Sequence, residues 1–138
     1  MANNNQKVII TSDLRADMRS VLGGRASESI FILADETTNE QCLPALMDAC
    51  PELKVCKVCV IGAGDTHKHL DALASVWQFL SENGATRRST MINVGGGMVT
   101  DLGGFAASTF KRGMSYINVA TTLLGAVDAA VGGKTGIN

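Results

Sequence analysis

The 138-residue chain carries 12 Lys and Arg against 13 Asp and Glu, a formal net charge of −1, and 46% of its residues are hydrophobic. This balance excludes binding to nucleic acid or to an anionic membrane that depends mainly on electrostatic attraction. The chain is also too apolar to be disordered. No apolar run approaches the roughly 18 residues that a membrane helix needs. The start of the chain lacks the apolar middle of a secretory signal, so we expect a cytoplasmic protein of one domain.

Short runs of β-forming residues alternate with segments of helical spacing. The runs are Val8–Thr11, Ser29–Ala34, Val55–Ile61, Thr90–Val94 and Ser115–Val119. A helix is predicted over Asn39–Cys50, and a clearer apolar stripe extends from Leu70 to Leu80 before Asn83-Gly84 ends it. This alternation predicts an α/β fold with a mostly parallel sheet flanked by helices. Such sheets bind ligands beyond the carboxyl ends of their strands.

Four cysteines raise the question of a metal or redox site. Cys56 and Cys59 have C-x-x-C spacing, but they lie in a segment that alternates like a strand. Residues three apart on a strand point to opposite faces of the sheet, so the two sulfurs cannot easily share one metal ion. Buried structural thiols are therefore the favoured interpretation.

The strongest local motif runs from Thr90 to Gly104, where a strand leads through Gly95-Gly-Gly97 into a helix. Glycines let the backbone approach a ligand closely, and the first amides of a helix attract an anion. The motif therefore predicts pyrophosphate binding, and the alternative is a tight strand-to-helix turn without a ligand. It departs from the ordinary dinucleotide fingerprint, because Thr100 stands where G-x-G-x-x-G requires glycine.

Other polar residues follow predicted strands or interrupt apolar segments. Lys134 lies in a Gly-Lys-Thr sequence, but a P-loop is excluded because Asp128 stands where that motif needs glycine. Lys134 can still act as a point charge for a phosphate or an oxyanion. Asp128 interrupts an apolar segment, where a carboxylate needs a partner or a function. Thr121 and Thr122 follow a strand and could contact a ribose or a phosphate, or could cap a helix.

Two further strand ends carry titratable groups. Asp35 ends the second predicted strand, where dinucleotide-binding folds often keep an acidic residue for the ribose hydroxyls. His67 and His69 follow the third strand in a polar turn, where solvated loop residues are the favoured interpretation over metal ligands.

Taken in order, these segments resemble the N-terminal half of the 3-dehydroquinate synthases. The likeness is densest in the glycine motif and helix of residues 95–113, and it continues through Thr121-Thr-Leu-Leu124 and Val131–Asn138. It implies a Rossmann-like NAD-binding domain over residues 1–138, followed in the full-length protein by a helical domain that holds zinc or cobalt. The chain ends inside a glycine-rich segment, so we expect a truncated piece of a longer protein.

The resemblance also implies a reaction. In the shikimate pathway, the family converts 3-deoxy-arabino-heptulosonate 7-phosphate into 3-dehydroquinate and phosphate, with NAD oxidising and later reducing the same substrate. A small sugar phosphate is the implied partner, and family members are usually homodimers. The family's metal ligands, one Glu and two His, lie beyond Asn138, and His67 and His69 do not match them. We therefore expect no metal site in this chain and no catalysis by the chain alone.

The family's functional positions transfer residue by residue. Asp128 and Lys134 match positions that act on the substrate and the nicotinamide end. Asp65 stands where the family usually has Glu, and Thr100 stands where it commonly has Gly. The implied cofactor-binding residues are Asp35, Asp65, Lys68, Gly96, Gly97, Thr100, Asp101, Thr121, Thr122 and Lys134.

Two alternatives remain open. One is a related sugar-phosphate cyclase that makes a deoxy-inosose or a valiolone, since those enzymes differ mainly in substrate-binding residues that this chain lacks. The other is a non-catalytic nucleotide-binding module with the same fold.

Overall fold

The computed structural model describes residues 9–11, 13–62, 69–120 and 135–137. Within these ranges the strands are β1 Ile9–Thr11, β2 Ile30–Asp35, β3 Lys57–Ile61, β4 Thr90–Gly95, β5 Ser115–Ala120 and β6 Thr135–Ile137. The α-helices in the same ranges are α1 Leu14–Leu22, α2 Glu36–Gln41, α3 Leu43–Ala49, α4 His69–Glu82 and α5 Gly97–Thr109. Short 3₁₀ turns cover Ser27–Ser29, Pro51–Val55 and Phe110–Arg112.

The described strands form one sheet in the order β1-β6-β5-β4-β2-β3. Strands β5, β4, β2 and β3 run parallel to one another, whereas β6 is antiparallel to both β1 and β5. The predicted α/β fold with a mostly parallel sheet is therefore confirmed. The sequence did not predict β6, and we expected a loop where Thr135–Ile137 forms a strand. Its three residues include a glycine and form no alternating pattern, so pairing with β1 and β5 defines it.

The helix predicted over Asn39–Cys50 is in fact two helices, α2 and α3, which meet at Cys42. Pro44 stands in the first turn of α3. Proline has no amide hydrogen to bond the carbonyl one turn earlier, so a continuous helix cannot pass through it without losing a hydrogen bond. By contrast, α4 follows its predicted stripe, and Gly84 ends the segment with a left-handed φ of 80°.

Alternate side chains of the central strands build two cores. Ile32 and Val94 are buried on one face, in a cluster with side chains of α1 and α3. Leu33 and Met91 are buried on the other face, with side chains of α4 and α5. Leu70 is 80% exposed, so the first residue of the α4 stripe lies outside this core.

The cysteines follow the alternation of the sheet. Cys56 belongs to the cluster under α1 and α3, and Cys59 packs against the cluster under α4 and α5. Their predicted separation onto opposite faces is confirmed, and Cys56 and Cys59 form no disulfide. Burial, with the Glu52 carboxylate nearby, raises the pKa of Cys56 to about 11. In the part of the chain that the structure describes, no helix is long and apolar enough to cross a membrane.

Candidate functional site

The carboxyl ends of β2 and β4 lie side by side, and we call the space beyond them the crevice. These strands are parallel neighbours, with Ala34 paired to Val94. After β2 the chain turns to α2 and α3 and continues to β3, whereas after β4 it enters α5 on the other face and continues to β5. The two connections leave in opposite directions, which is the topological switch point where open α/β sheets bind ligands.

The glycines at this crevice have different physical roles. A Cβ at Gly95 would lie 2.5 Å from the Cβ of Val99, so Gly95 is required for α5 to pack on the sheet. A Cβ at Gly96 or Gly97 would meet no atom of the described residues within 4 Å. Gly96 is the N-cap residue of α5 and supplies no side-chain cap. Among the described residues, no side chain therefore covers the start of α5, and its amides are available to an anion.

Thr100 does not block this opening. Its hydroxyl lies 3.1 Å from the carbonyl oxygen of Gly96 and 3.3 Å from that of Gly97, and it donates back to its own helix. The side chain that replaces the fingerprint glycine is thus held along the first turn of α5. Asp101 is the next residue of α5 and is exposed to solvent.

A capping box joins the two walls of the crevice. Asp35 is the N-cap residue of α2, and its Oδ1 accepts a hydrogen bond of 2.7 Å from the amide of Thr38. The Thr38 hydroxyl accepts from the Asp35 amide at 3.0 Å and donates to the buried carbonyl of Val94 at 2.9 Å. The turn after β2 is therefore fixed to the last residues of β4. Asp35 is half-buried, and the cap uses one carboxylate oxygen, which leaves Oδ2 for a ligand.

Thr38 was not among the residues predicted from the sequence. The signal was present, since Asp-x-x-Thr at the end of a strand is a capping-box pattern. Its bond to Val94 spans 56 residues and depends on the pairing of β2 with β4, so no local pattern could have predicted it.

The structure brings five of the predicted site residues to this end of the sheet. They are Asp35, Gly96, Gly97, Thr100 and Asp101. The other predicted residues lie outside the described residues, namely Asp65, Lys68, Thr121, Thr122, Asp128 and Lys134.

Comparison with known proteins identifies the family. The family model of the 3-dehydroquinate synthase N-terminal region matches residues 58–138. The chain belongs to this 3-dehydroquinate synthase family. A 3-dehydroquinate synthase from Parabacteroides distasonis is 48% identical over 133 residues, which are 96% of this chain and 37% of the relative. One from Pyrococcus furiosus is 41% identical over 130 residues, 94% of this chain and 38% of the relative. The chain thus spans less than two-fifths of the length of these relatives.

Solved structures of related enzymes share the fold. A 2-epi-5-epi-valiolone synthase from Streptomyces hygroscopicus subsp. jinggangensis, with NAD⁺ and Zn²⁺ bound, superimposes with a TM-score of 0.70 at 26% identity. That match covers 94% of this chain and 36% of the valiolone synthase. A 2-deoxy-scyllo-inosose synthase complexed with carbaglucose-6-phosphate, NAD⁺ and Co²⁺ gives 0.66 at 22% identity, over 89% of this chain and 37% of that one. The predicted Rossmann-like fold is confirmed.

Proposed function

We propose that this chain is the NAD-binding part of a 3-dehydroquinate synthase, which converts 3-deoxy-arabino-heptulosonate 7-phosphate into 3-dehydroquinate and phosphate. Family membership and the 48% identity to a curated synthase support the reaction. The observation that carries the cofactor assignment is the open glycine turn at the start of α5, placed at the switch point of the sheet. A pyrophosphate fits there because none of the described side chains occupies the approach to the helix amides.

The described residues suit the two halves of such a cofactor. The amides at the start of α5, with the partial positive charge of the helix dipole, would hold the pyrophosphate beside Gly96 and Gly97. The remaining oxygen of Asp35 would accept hydrogen bonds from ribose hydroxyls. The Thr38 bond to Val94 keeps these two positions at a fixed separation. When bound, NAD supplies reversible oxidation of a substrate hydroxyl.

The other contacts are assigned by family resemblance. Asp65, Lys68, Thr121 and Thr122 are proposed cofactor contacts. Asp128 and Lys134 are proposed catalytic residues. The Lys134 ammonium would stabilise negative charge that develops on the substrate near the nicotinamide.

A divalent metal, zinc or cobalt, is proposed for the whole protein. No group of three or more His, Cys, Asp or Glu that could hold a metal ion occurs among the described residues. We propose that the 138-residue chain alone does not turn over the substrate, because the metal ligands and further substrate-binding residues are supplied elsewhere. As a whole, the enzyme is proposed to be a cytoplasmic homodimer with no nucleic-acid or membrane partner.

The second candidate is a related sugar-phosphate cyclase. The valiolone synthase, with a TM-score of 0.70 at 26% identity, favours this reading among the alternatives. A non-catalytic nucleotide-binding module remains the third candidate. Activity assays of the whole protein with 3-deoxy-arabino-heptulosonate 7-phosphate, and with the sugar phosphates that the two related cyclases use, would separate these functions.

Calorimetric titration of the chain with NAD tests the cofactor assignment, using Gly97→Ala as the main variant. The added methyl group meets no atom of the described residues within 4 Å, so the variant should fold normally. It occupies the space that the pyrophosphate needs, and we expect a loss of affinity of about tenfold or more. Asp101→Ala tests the assigned role of that carboxylate in the same titration and should also weaken binding.

The matched control is Ser108→Ala, on an exposed position in the last turn of the same helix, and it should bind NAD like the unmodified chain. Unchanged affinity of Gly97→Ala would contradict the assignment of the glycine turn. No binding by the folded, unmodified chain would contradict a preformed cofactor site within these residues. Release of phosphate from 3-deoxy-arabino-heptulosonate 7-phosphate by the chain with NAD and zinc would contradict the proposal that it is inactive alone.

A further inference from the structure

A wide, open depression in the surface lies at the opposite end of the sheet from the glycine turn. It has a volume of about 630 Å³ and is lined by Thr86, Arg87, Arg88, Lys111 and Gly113. The first three residues precede β4 and the other two precede β5, so the depression lies at the amino ends of two parallel neighbours. The six residues of β4 separate it from the cofactor crevice by about 16 Å, at roughly 3.3 Å per residue. We call this depression the basic pocket.

The charges of the basic pocket are unbalanced. Two arginines and one lysine are among the residues that line it, and none of the described acidic residues is. The Lys111 ammonium lies 5.5 Å from the centre of the Phe110 ring, a cation–π contact that leaves its charge unneutralised. The chain as a whole carries a net charge of −1, so this local excess is not a consequence of a basic composition. An anion in the pocket would relieve the mutual repulsion of these cations.

One wall of the pocket is a well-braced turn. The Ser89 amide donates to the Thr86 carbonyl at 3.0 Å, and the Thr86 amide donates to the buried Ser89 hydroxyl oxygen at 2.9 Å. The Arg88 amide donates to the Thr86 hydroxyl oxygen at 3.1 Å. These bonds fix the backbone that carries both arginines before any ligand arrives. The Thr86 hydroxyl accepts here, so its own hydrogen is available to a ligand.

The other wall is strained. Lys111 and Arg112 have φ values of 47° and 73°, and Gly113 follows with 107°. The left-handed region is unfavourable for residues with a Cβ, and strain of this kind concentrates at functional sites. The fold holds the segment in place through bonds from the Gly113 amide to Phe110 at 2.7 Å and from the Met114 amide to Ala107 at 2.8 Å. A basic side chain is thus kept at a position where glycine would relieve the strain.

We propose that the basic pocket binds the phosphate group of a small phosphomonoester. Two N–H groups of one guanidinium can donate parallel hydrogen bonds to two phosphate oxygens, and the Lys111 ammonium and the Thr86 hydroxyl can donate further ones. The volume lies in the range of small-molecule sites, so the pocket has room for the organic part of an ester beside its phosphate group. This site is independent of the proposed cofactor site, because it shares no residue with it.

The test is a titration of the ¹⁵N-labelled chain, followed by its amide NMR signals, with inorganic phosphate and with glycerol 2-phosphate at constant ionic strength. We expect saturable shifts at Arg87, Arg88, Lys111 and Gly113, with the tighter binding to the ester. Equal or tighter binding of inorganic phosphate would show that the ligand of the pocket is the free phosphate ion and not an ester. No saturation by either probe below about 20 mM would overturn the proposal, since a pair of arginine–phosphate contacts should bind more tightly than that.

Two variants and one control assign the effect to the pocket. Arg87→Gln combined with Arg88→Gln should weaken binding by about tenfold or more. Lys111→Gly relieves strain while it removes a charge, so it should fold at least as well and still bind more weakly. Lys54→Gln removes one exposed charge outside the pocket and should bind like the unmodified chain. Equal affinity in all three variants would show non-specific attraction and refute the site.

Discussion

The contact between α5 and β4 gives the sharpest test of the packing. A Cβ added at Gly103 would overlap the side-chain amide of Asn93, and it would lie 2.7 Å from Nδ2. Asn93 has no exposed surface, and its Nδ2 donates to Asn118 Oδ1 at 2.9 Å. Its Oδ1 has no hydrogen-bond partner among the described residues. The side chain therefore cannot move away from a new methyl group without giving up the bond to Asn118.

The magnitude follows from three opposing effects on the free energy of unfolding of Gly103→Ala. Overpacking of a tight core costs about 1–3 kcal/mol. Disturbing the bond between Asn93 and Asn118 costs about 1 kcal/mol more. Replacing glycine by alanine inside a helix returns about 1 kcal/mol. The expected net loss of stability is therefore about 2 kcal/mol.

Urea unfolding followed by circular dichroism measures this loss. The control is Gly97→Ala, the same substitution in the same helix, where the new methyl group has open space and should not destabilise the chain. Adding Asn93→Ala to Gly103→Ala removes the overlap, so the double variant should recover about 2 kcal/mol relative to the sum of the single effects. A stable Gly103→Ala, or effects that add to within about 0.5 kcal/mol, would refute this account of the interface.

Four further outcomes are expected. Thr38→Val should lower the free energy of unfolding in urea by about 1–3 kcal/mol because a buried carbonyl loses its donor, and Thr38→Ser should restore most of it; equal stability of the two variants would contradict the bridge. Asp35→Ala should cost about 1 kcal/mol in the same assay and Asp35→Asn much less, since both Asp and Asn cap helices well. Burial, assisted by a nearby carboxylate, raises the pKa of Cys50 to about 11, and burial likewise raises that of Cys56 to about 11. Both thiols should resist iodoacetamide at pH 7.5 until urea is added, as mass spectrometry would detect. Their contribution to the free energy of unfolding is complete below pH 9 and declines as the pH rises towards 11, because the thiols of the unfolded chain ionise first. Lys111→Gly should raise stability by about 1 kcal/mol, and a loss instead would contradict the strain at that residue.

The parallel strands could be predicted because buried strands consist mainly of apolar residues, and such runs are visible in the sequence. The predicted Thr90–Val94 and the observed Thr90–Gly95 differ by one residue, and every residue of β4 is buried. A strand enclosed on both faces is mostly apolar, so its limits are visible in the composition of the segment. The glycine turn at the crevice was also predictable, since a strand, three glycines and a helix follow one another directly in the chain.

Contacts between distant residues could not be predicted in this way. The buried pair Asn93 and Asn118 consists of polar residues in apolar strands, and only the register of β4 with β5 places them opposite each other. The short strand β6 likewise exists through its partners rather than its own pattern. In the same way, Lys111 and Arg112 look like ordinary exposed residues after a helix, and their left-handed backbone follows from how α5 returns to β5.

The glycines of the motif separate into two groups, and this separation bears on function. Gly95 and Gly103 are needed because a side chain would overlap Val99 or Asn93, so packing alone accounts for them. Gly96 and Gly97 have no such neighbour among the described residues, and the described fold would accommodate alanine at either position. Alanine there would cost the fold nothing that the structure reveals, and it would reduce the entropy of the unfolded chain. Packing therefore does not account for glycine at these two positions, whereas close approach of a ligand from the crevice does. This is the argument for a ligand at the start of α5.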